Sequence, residues 1–139
     1  EDACKDLLGS KFLLPVLRKY FLWHWELKEG SPWVDNAECG GKYWAQEVQV
    51  NKKAKAWLTK DKLQNGNSAE WDMTALCTIL LWSNVHPLSS EEHGRDFEDI
   101  NRFRAWRNNL LHGNPMESSE FSLCAATVWG FMERHQDLQ

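Results

Sequence analysis

The sequence lacks the features that mark membrane-spanning, secreted or disordered chains. No apolar run approaches the roughly 20 residues that a transmembrane helix needs, and the acidic N-terminus shows no signal-peptide pattern. Only 8 Gly and 4 Pro occur among 139 residues, and the composition, 42% hydrophobic and 26% charged, is typical of globular proteins. These observations predict a folded protein without a membrane partner.

Closely spaced cysteines are also missing. Cys4, Cys39, Cys77 and Cys124 are far apart, with no C-x-x-C pair and no Cys or His at the spacing of zinc ligands. Neither a disulfide scaffold nor a metal module is therefore indicated, and scattered thiols favour a reducing compartment. We expect no metal, no other cofactor, and an intracellular, cytoplasmic location.

The chain has no excess of positive charge. Its net charge of -4 argues against a protein that binds nucleic acid through a broadly basic surface. A local basic segment does occur in residues 51–62, "NKKAKAWLTKDK". Its Lys52, Lys53 and Lys55 are candidate RNA contacts, although such a run is also typical of a solvated face.

Apolar residues recur at intervals of three and four along most of the chain, and no stretch alternates convincingly at period two. The length fits a single domain over residues 1–139, with one core. We therefore predict an all-α fold, a single helical bundle of four to five main helices. The helical patterns lie in residues 11–30, 42–50, 69–85, 95–113 and 118–135.

Several residues have expected structural roles. Ser10, Ser68 and Asp96 are candidate N-caps, and Gly30 is a candidate helix stop. His24 falls on the apolar stripe of the first helix, where a core histidine is expected more than a ligand. The nearly all-apolar segment from Ala75 to Trp82 should be the most buried element, and most of the nine Trp should pack in the core rather than stack on bases.

The stretch "RNNLLHGNP", residues 107–115, has two interpretations. Gly113 followed by Pro115 is typical of a helix end, and this alone could explain the pattern. However, two adjacent Asn residues disfavour a helix by about 0.5 kcal/mol each relative to Ala. Arg104, Asn108 and His112, spaced by four residues, also form one ridge beside the core stripe, and the long side chain of Arg107 can reach it.

Arg and His near one another have a chemical use. A guanidinium can hold a phosphate through two hydrogen bonds, and an imidazole can transfer a proton near neutral pH. Together they suffice for metal-free RNA cleavage, in which the 2′-hydroxyl attacks its own phosphate. Two copies of the chain facing one another would double these groups around one phosphate.

The segment "RNNLLH" fits the R-N-x-x-x-H signature of HEPN domains. The sequence "WDMTALCTILLWS", then "DINRFRAWRNNLLHG", then "SSEF" resembles the HEPN subfamily found in a DAZ-interacting RING-type ubiquitin ligase and in many multidomain animal proteins. The resemblance covers residues 69 to 132.

This resemblance implies a helical bundle that forms a homodimer and is either a metal-independent endoribonuclease or an inactive RNA-binding or protein-interaction module. Arg107 would contact the scissile phosphate, Asn108 would orient the substrate, and His112 would be the general acid or base. Arg104 is added as an RNA contact from helix geometry. The alternatives are an inactive HEPN module of a larger signalling or ubiquitin-pathway protein, with protein partners, and a plain helical adaptor.

Overall fold

A computed structural model describes residues 6–9, 12–48, 60–82 and 91–138. These residues contain helices and no strand, which confirms the predicted all-α class. Four helices have ten or more residues, in agreement with the predicted four to five main helices. The helices are α1 (Leu13–Glu29), α2 (Ala37–Tyr43), α3 (Lys60–Gln64), α4 (Met73–Trp82), α5 (Glu91–Leu111) and α6 (Ser118–Arg134).

Helix α1 forms as its apolar stripe predicts. It ends at Gly30, which has φ 77° and donates its N–H to the Glu26 carbonyl over 2.8 Å, so the predicted stop is confirmed. His24 is buried, and its ring centroid lies 4.3 Å from that of Tyr20. The prediction of a core histidine is therefore confirmed. Ser10, the predicted cap of this helix, lies outside the described residues.

The aromatic residues of α1, α2 and the loops beside them form one cluster in the core. Phe21 contacts Trp33, Tyr43 and Trp71 edge-on, with ring centroids 5.1 to 5.5 Å apart, and Trp25 meets Trp33 in the same way at 4.8 Å. Edge-to-face packing is the favoured geometry for such rings. Core packing is thus the main use of the Trp side chains in the described part of the chain, as expected.

Helix α2 corrects one prediction. The pattern placed a helix over residues 42–50, but α2 begins at Ala37 and continues as a π-helical turn, Trp44–Val48. Asn36 is its N-cap, because the Asn36 side-chain oxygen accepts the Cys39 N–H at 2.9 Å. The Gly pair at 40 and 41, typical of a loop, lies inside this helix.

Helix α4 is the buried centre of the bundle, as predicted. Every residue from Leu76 to Leu81 is buried. The predicted N-cap, Ser68, is wrong: Ser68 lies in a short 3-10 turn, and its hydroxyl donates to Asp35 over 2.7 Å. Asp72 caps α4 instead, since its side-chain oxygen accepts the Ala75 N–H at 2.9 Å.

Helices α5 and α6 pack against each other, and α5 also packs on α4. The core stripe of α5 is confirmed, with Ile100, Phe103 and Trp106 buried. The prediction that Asp96 caps α5 is wrong, because the helix already begins at Glu91 and the Asp96 side chain is fully buried within it. Helix α6 begins at Ser118, as expected. Among the described helices, none is both long and apolar enough to span a membrane.

Candidate functional site at the end of α5

The predicted helix end at Gly113 is confirmed. Gly113 has φ 75°, and its N–H donates to the Leu110 carbonyl at 3.1 Å. The next N–H, of Asn114, donates to the Asn109 carbonyl at 2.9 Å. This pair of backbone bonds is a Schellman motif, and it fixes His112 as the last residue before the chain turns away.

Four of the predicted site residues lie along α5 on one side of the helix. Arg104, Arg107 and Asn108 are partly buried, and His112 is exposed. At about 100° per residue, Leu111 projects from the middle of this group, and it is 57% exposed. We call Arg104, Arg107, Asn108, Leu111 and His112 the α5 ridge; it becomes more exposed towards the helix end.

The polar side chains near the end of the ridge do not cap the helix. Within the described residues, the side chains of Arg107, Asn108 and His112 make no hydrogen bond or ion pair, and the helix end is satisfied by the backbone bonds alone. These polar groups are therefore available to a ligand or to another copy of the chain.

Arg104 marks the inner end of the ridge and lies close to α4. Burial raises the pKa of the Cys77 thiol of α4 to about 12, and the positive charge of Arg104 opposes that rise. A guanidinium near this buried helix is less open to solvent than His112. Arg104 therefore belongs to the ridge, but its positive charge also acts on the buried Cys77 of α4.

The other predicted RNA contacts, Lys52, Lys53 and Lys55, lie outside the described residues. Their role as a basic patch stays a prediction.

A buried charged network nearer the start of α5 was not predicted from the sequence. The Asp96 carboxylate accepts hydrogen bonds from the Tyr20 hydroxyl at 2.9 Å and from Arg134 Nη2 at 2.9 Å, and lies 3.0 Å from His135 Nε2. Arg134 also forms an ion pair with Asp99. We call these five residues the Asp96 network; it connects α5 with α1 and with the end of α6.

The network stabilises the charged form of Asp96. Burial alone would raise the pKa of this carboxyl, but hydrogen bonds from His135, Arg134 and Tyr20 outweigh burial and lower the pKa to about 2. Burial also disfavours the charge on Arg134, and the bonds to Asp99 and Asp96 outweigh it, so the pKa of Arg134 is raised. Each of these two charges is thus compensated by an opposite charge in a region that is largely shielded from water.

One signal in the sequence could have revealed this network. Asp96 lies four residues before Ile100, and Asp99 lies four residues before Phe103, so both acids fall on the core stripe of α5. Acids on a core stripe need a buried cation, and Arg134 lies at the end of the neighbouring helix.

No protein-family model, no curated protein and no solved structure matches this chain. The resemblance to HEPN domains over residues 69 to 132 therefore stays a prediction based on the residues themselves.

A small cleft of about 190 Å³ lies where α5 ends and α6 begins. It is lined by Trp106, Asn109, Leu110, Asn114, Pro115, Met116 and Glu120. None of the predicted site residues lines it. At about 100° per residue, Asn109 lies about 60° around the helix from His112 but about 160° from Arg107, so the cleft adjoins only the His112 end of the ridge.

No group of three or more His, Cys, Asp or Glu side chains in the described segments is arranged to hold a metal ion. Cys77 and Cys124 are buried and Cys39 is partly buried, and all three are free thiols. The chemistry that the α5 ridge can offer is therefore that of a guanidinium, an amide and an imidazole.

Proposed function

We propose that this chain is an RNA-binding and RNA-processing domain of the HEPN type, which acts in the cytoplasm as a homodimeric, metal-independent endoribonuclease. The observation that carries the proposal is the α5 ridge. Its Arg107, Asn108 and His112 side chains have no partner within the described part of the chain, and His112 is exposed at a fixed helix end.

The reaction would be an internal transesterification. The ribose 2′-oxygen attacks the adjacent phosphorus while its proton passes to a base, and the bond from phosphorus to the 5′-oxygen breaks as that oxygen gains a proton. His112 would transfer one of these protons, and Arg107 would stabilise the negative charge on the phosphoryl oxygens. The products are a 2′,3′-cyclic phosphate and a 5′-hydroxyl.

A second copy of the chain would complete the site. One imidazole cannot be both base and acid in the same step, whereas two ridges facing each other supply two imidazoles and two Arg107 guanidinium groups. The exposed Leu111 in the middle of the ridge is an apolar contact that such an interface would cover.

The test is cleavage of single-stranded RNA in excess EDTA, with the products examined for 2′,3′-cyclic phosphate ends. His112→Ala should reduce the rate by about 10² to 10⁴-fold, because it removes the acid or base. Arg107→Ala should also reduce the rate. Arg102→Ala is the matched control for Arg107→Ala, since Arg102 is an exposed arginine on the same helix that lies away from the ridge.

A folded His112→Ala protein that cleaves at the wild-type rate would remove His112 from the mechanism. A wild-type dimer that binds RNA but never cleaves it would leave only the binding function.

A second candidate is a catalytically inactive HEPN module for dimerisation or protein interaction within a larger signalling or ubiquitin-pathway protein. Two observations favour it: the net charge of -4, which disfavours RNA, and the exposed Leu111. This candidate predicts a defined dimer without nuclease activity, which Leu111→Glu should dissociate in sedimentation experiments. A wild-type chain that stays monomeric at high concentration contradicts both candidates.

The basic segment has its own test. Changing Lys52, Lys53 and Lys55 together to Glu should weaken binding of single-stranded RNA and flatten its salt dependence, if these residues contact phosphates. An unchanged affinity would show that the segment is not an RNA surface.

A further inference from the structure

The Schellman motif at the end of α5 has an unusual pair of side chains. In this motif, the residue that starts the last bonded turn and the residue after the glycine commonly make an apolar contact. Here these positions are Asn109 and Asn114, joined by the backbone bond from the Asn114 N–H to the Asn109 carbonyl. The backbone bond needs neither side-chain amide, and Asn109 also disfavours the helix.

Asn109 and Asn114 both line the small cleft between α5 and α6. The apolar part of its lining comes from Trp106, Leu110, Pro115 and Met116. The remaining lining residue is Glu120, a partly buried acid in the first turn of α6.

The shape and lining restrict the ligand. A volume of about 190 Å³ is below the roughly 300 to 1,000 Å³ of pockets for drug-sized molecules, so the cleft has room for one small ring system. A lining that combines apolar residues with two Asn residues and one Glu suits a flat heterocycle that carries hydrogen-bonding groups on its edge.

We propose that this cleft binds a guanine base of single-stranded RNA. Guanine alone among the four bases has two neighbouring donors, N1–H and N2–H, on its Watson–Crick edge, and the Glu120 carboxylate can accept both. The guanine O6 then accepts from an Asn109 or Asn114 amide. Adenine and cytosine would place a ring nitrogen, and uracil a carbonyl oxygen, against the carboxylate. These atoms are acceptors like the carboxylate oxygens, so none of the three bases can donate two neighbouring hydrogen bonds to Glu120.

This inference rests on the proposed RNA function and adds its base preference. Asn109 projects about 60° around the helix from His112, so the backbone attached to a base in the cleft can pass the His112 end of the α5 ridge. The cleft would therefore position one guanine next to the phosphate on which His112 acts.

The experiment follows the side-chain amide NMR signals of Asn109 and Asn114 during titration with GMP, AMP, CMP and UMP, and with the RNA oligomers UUGUU and UUAUU. GMP and UUGUU should shift both amide signals, and UUGUU should bind more tightly than GMP because the ridge contacts its phosphates. Glu120→Gln should weaken GMP binding by about 5- to 150-fold, the range for loss of one bidentate base contact.

Glu117→Gln is the matched control. It removes the same charge three residues earlier, from an exposed side chain outside the cleft, and should leave GMP binding unchanged. A second variant, with both Asn109→Leu and Asn114→Leu, restores the common apolar contact and should fold normally but lose GMP binding.

Three results would overturn the inference: no amide shift with GMP in the folded protein, equal affinity for the four mononucleotides, or unchanged GMP binding in Glu120→Gln. Equal affinity for GMP and UUGUU would overturn RNA as the source of the base. Because binding is measured without cleavage, a protein that binds UUGUU but does not cut it refutes only the nuclease, and cleavage without base preference refutes only the cleft.

Discussion

The Asp96 network gives the sharpest prediction about this fold. In Asp96→Asn the side chain keeps its size and one carbonyl oxygen, but it loses the charge and one acceptor. The new amide group would face the Tyr20 hydroxyl, His135 or Arg134, which donate to or contact the carboxylate at 2.9 to 3.0 Å. Arg134 would still pair with Asp99, so the network is weakened and not abolished.

The magnitude follows from the pKa. Lowering the pKa of Asp96 from its ordinary value of 3.8 to about 2 corresponds to about 2 kcal/mol of stabilisation of the charged form in the folded protein. The unfavourable contacts of the new amide group add to this loss. We therefore expect Asp96→Asn to lower the free energy of unfolding by about 3 kcal/mol, near the low end for breaking a buried ion pair.

The pH dependence has a definite direction. Because the pKa of Asp96 is lower in the folded protein, its stabilisation is fully present above the ordinary pKa of 3.8 and declines as the pH falls towards 2. Urea unfolding of the wild type and of Asp96→Asn at about pH 7, about pH 4 and about pH 2 should therefore show a difference that shrinks with acidification.

Glu98→Gln is the control, since Glu98 is an exposed acid on the same helix, and it should change stability by no more than about 0.5 kcal/mol. A loss below about 1 kcal/mol in Asp96→Asn, or a difference from the wild type that does not depend on pH, would refute the assignment of Asp96 as a buried, charged link.

Three further substitutions test the turns and caps, each by urea unfolding. Gly113→Ala should lower the free energy of unfolding by about 1 kcal/mol, because φ is 75° and the space beside it is open, so only backbone strain acts. Gly66→Ala should lower it by about 3 kcal/mol or more, because φ is 77° and the added methyl group would overlap the Asn36 carbonyl; equal losses in the two variants would contradict this packing. Asp72→Ala should remove the N-cap of α4 and lower the free energy of unfolding by about 1 kcal/mol. Asp61→Ala, which changes an exposed acid, should have little effect on it.

The fold class and the long helices could be predicted from periodicity because apolar stripes report which face of a helix is buried. Helix beginnings were harder to predict, since several residues compete as caps. Ser68 has the right residue type to cap a helix that was predicted to begin at residue 69, yet Asp35 from the loop after α1 accepts its hydroxyl and its N–H. Nothing near Ser68 in sequence indicates a partner 33 residues away.

The candidate site could be predicted in part. Gly113 ends α5 as expected because a positive φ is a local property of the chain, and Arg104 and Asn108 lie in α5 with His112 directly after its last residue, Leu111. Exposure along that side could not be predicted. It depends on α4, which lies close to Arg104 but leaves His112 in solvent.

The rotation of α5 about its axis determines what the ridge can contact, and the Asp96 network acts with the buried core stripe to fix that rotation. Asp96 and Asp99 are drawn towards Arg134 of α6, and the Tyr20 hydroxyl of α1 holds Asp96 from the other side. A helix of 21 residues is stiff, so a rotation fixed near its start is transmitted to Arg107 and His112 at its end. Asp96, which was predicted to be a helix cap, therefore acts with Asp99 to set the direction in which the proposed site faces.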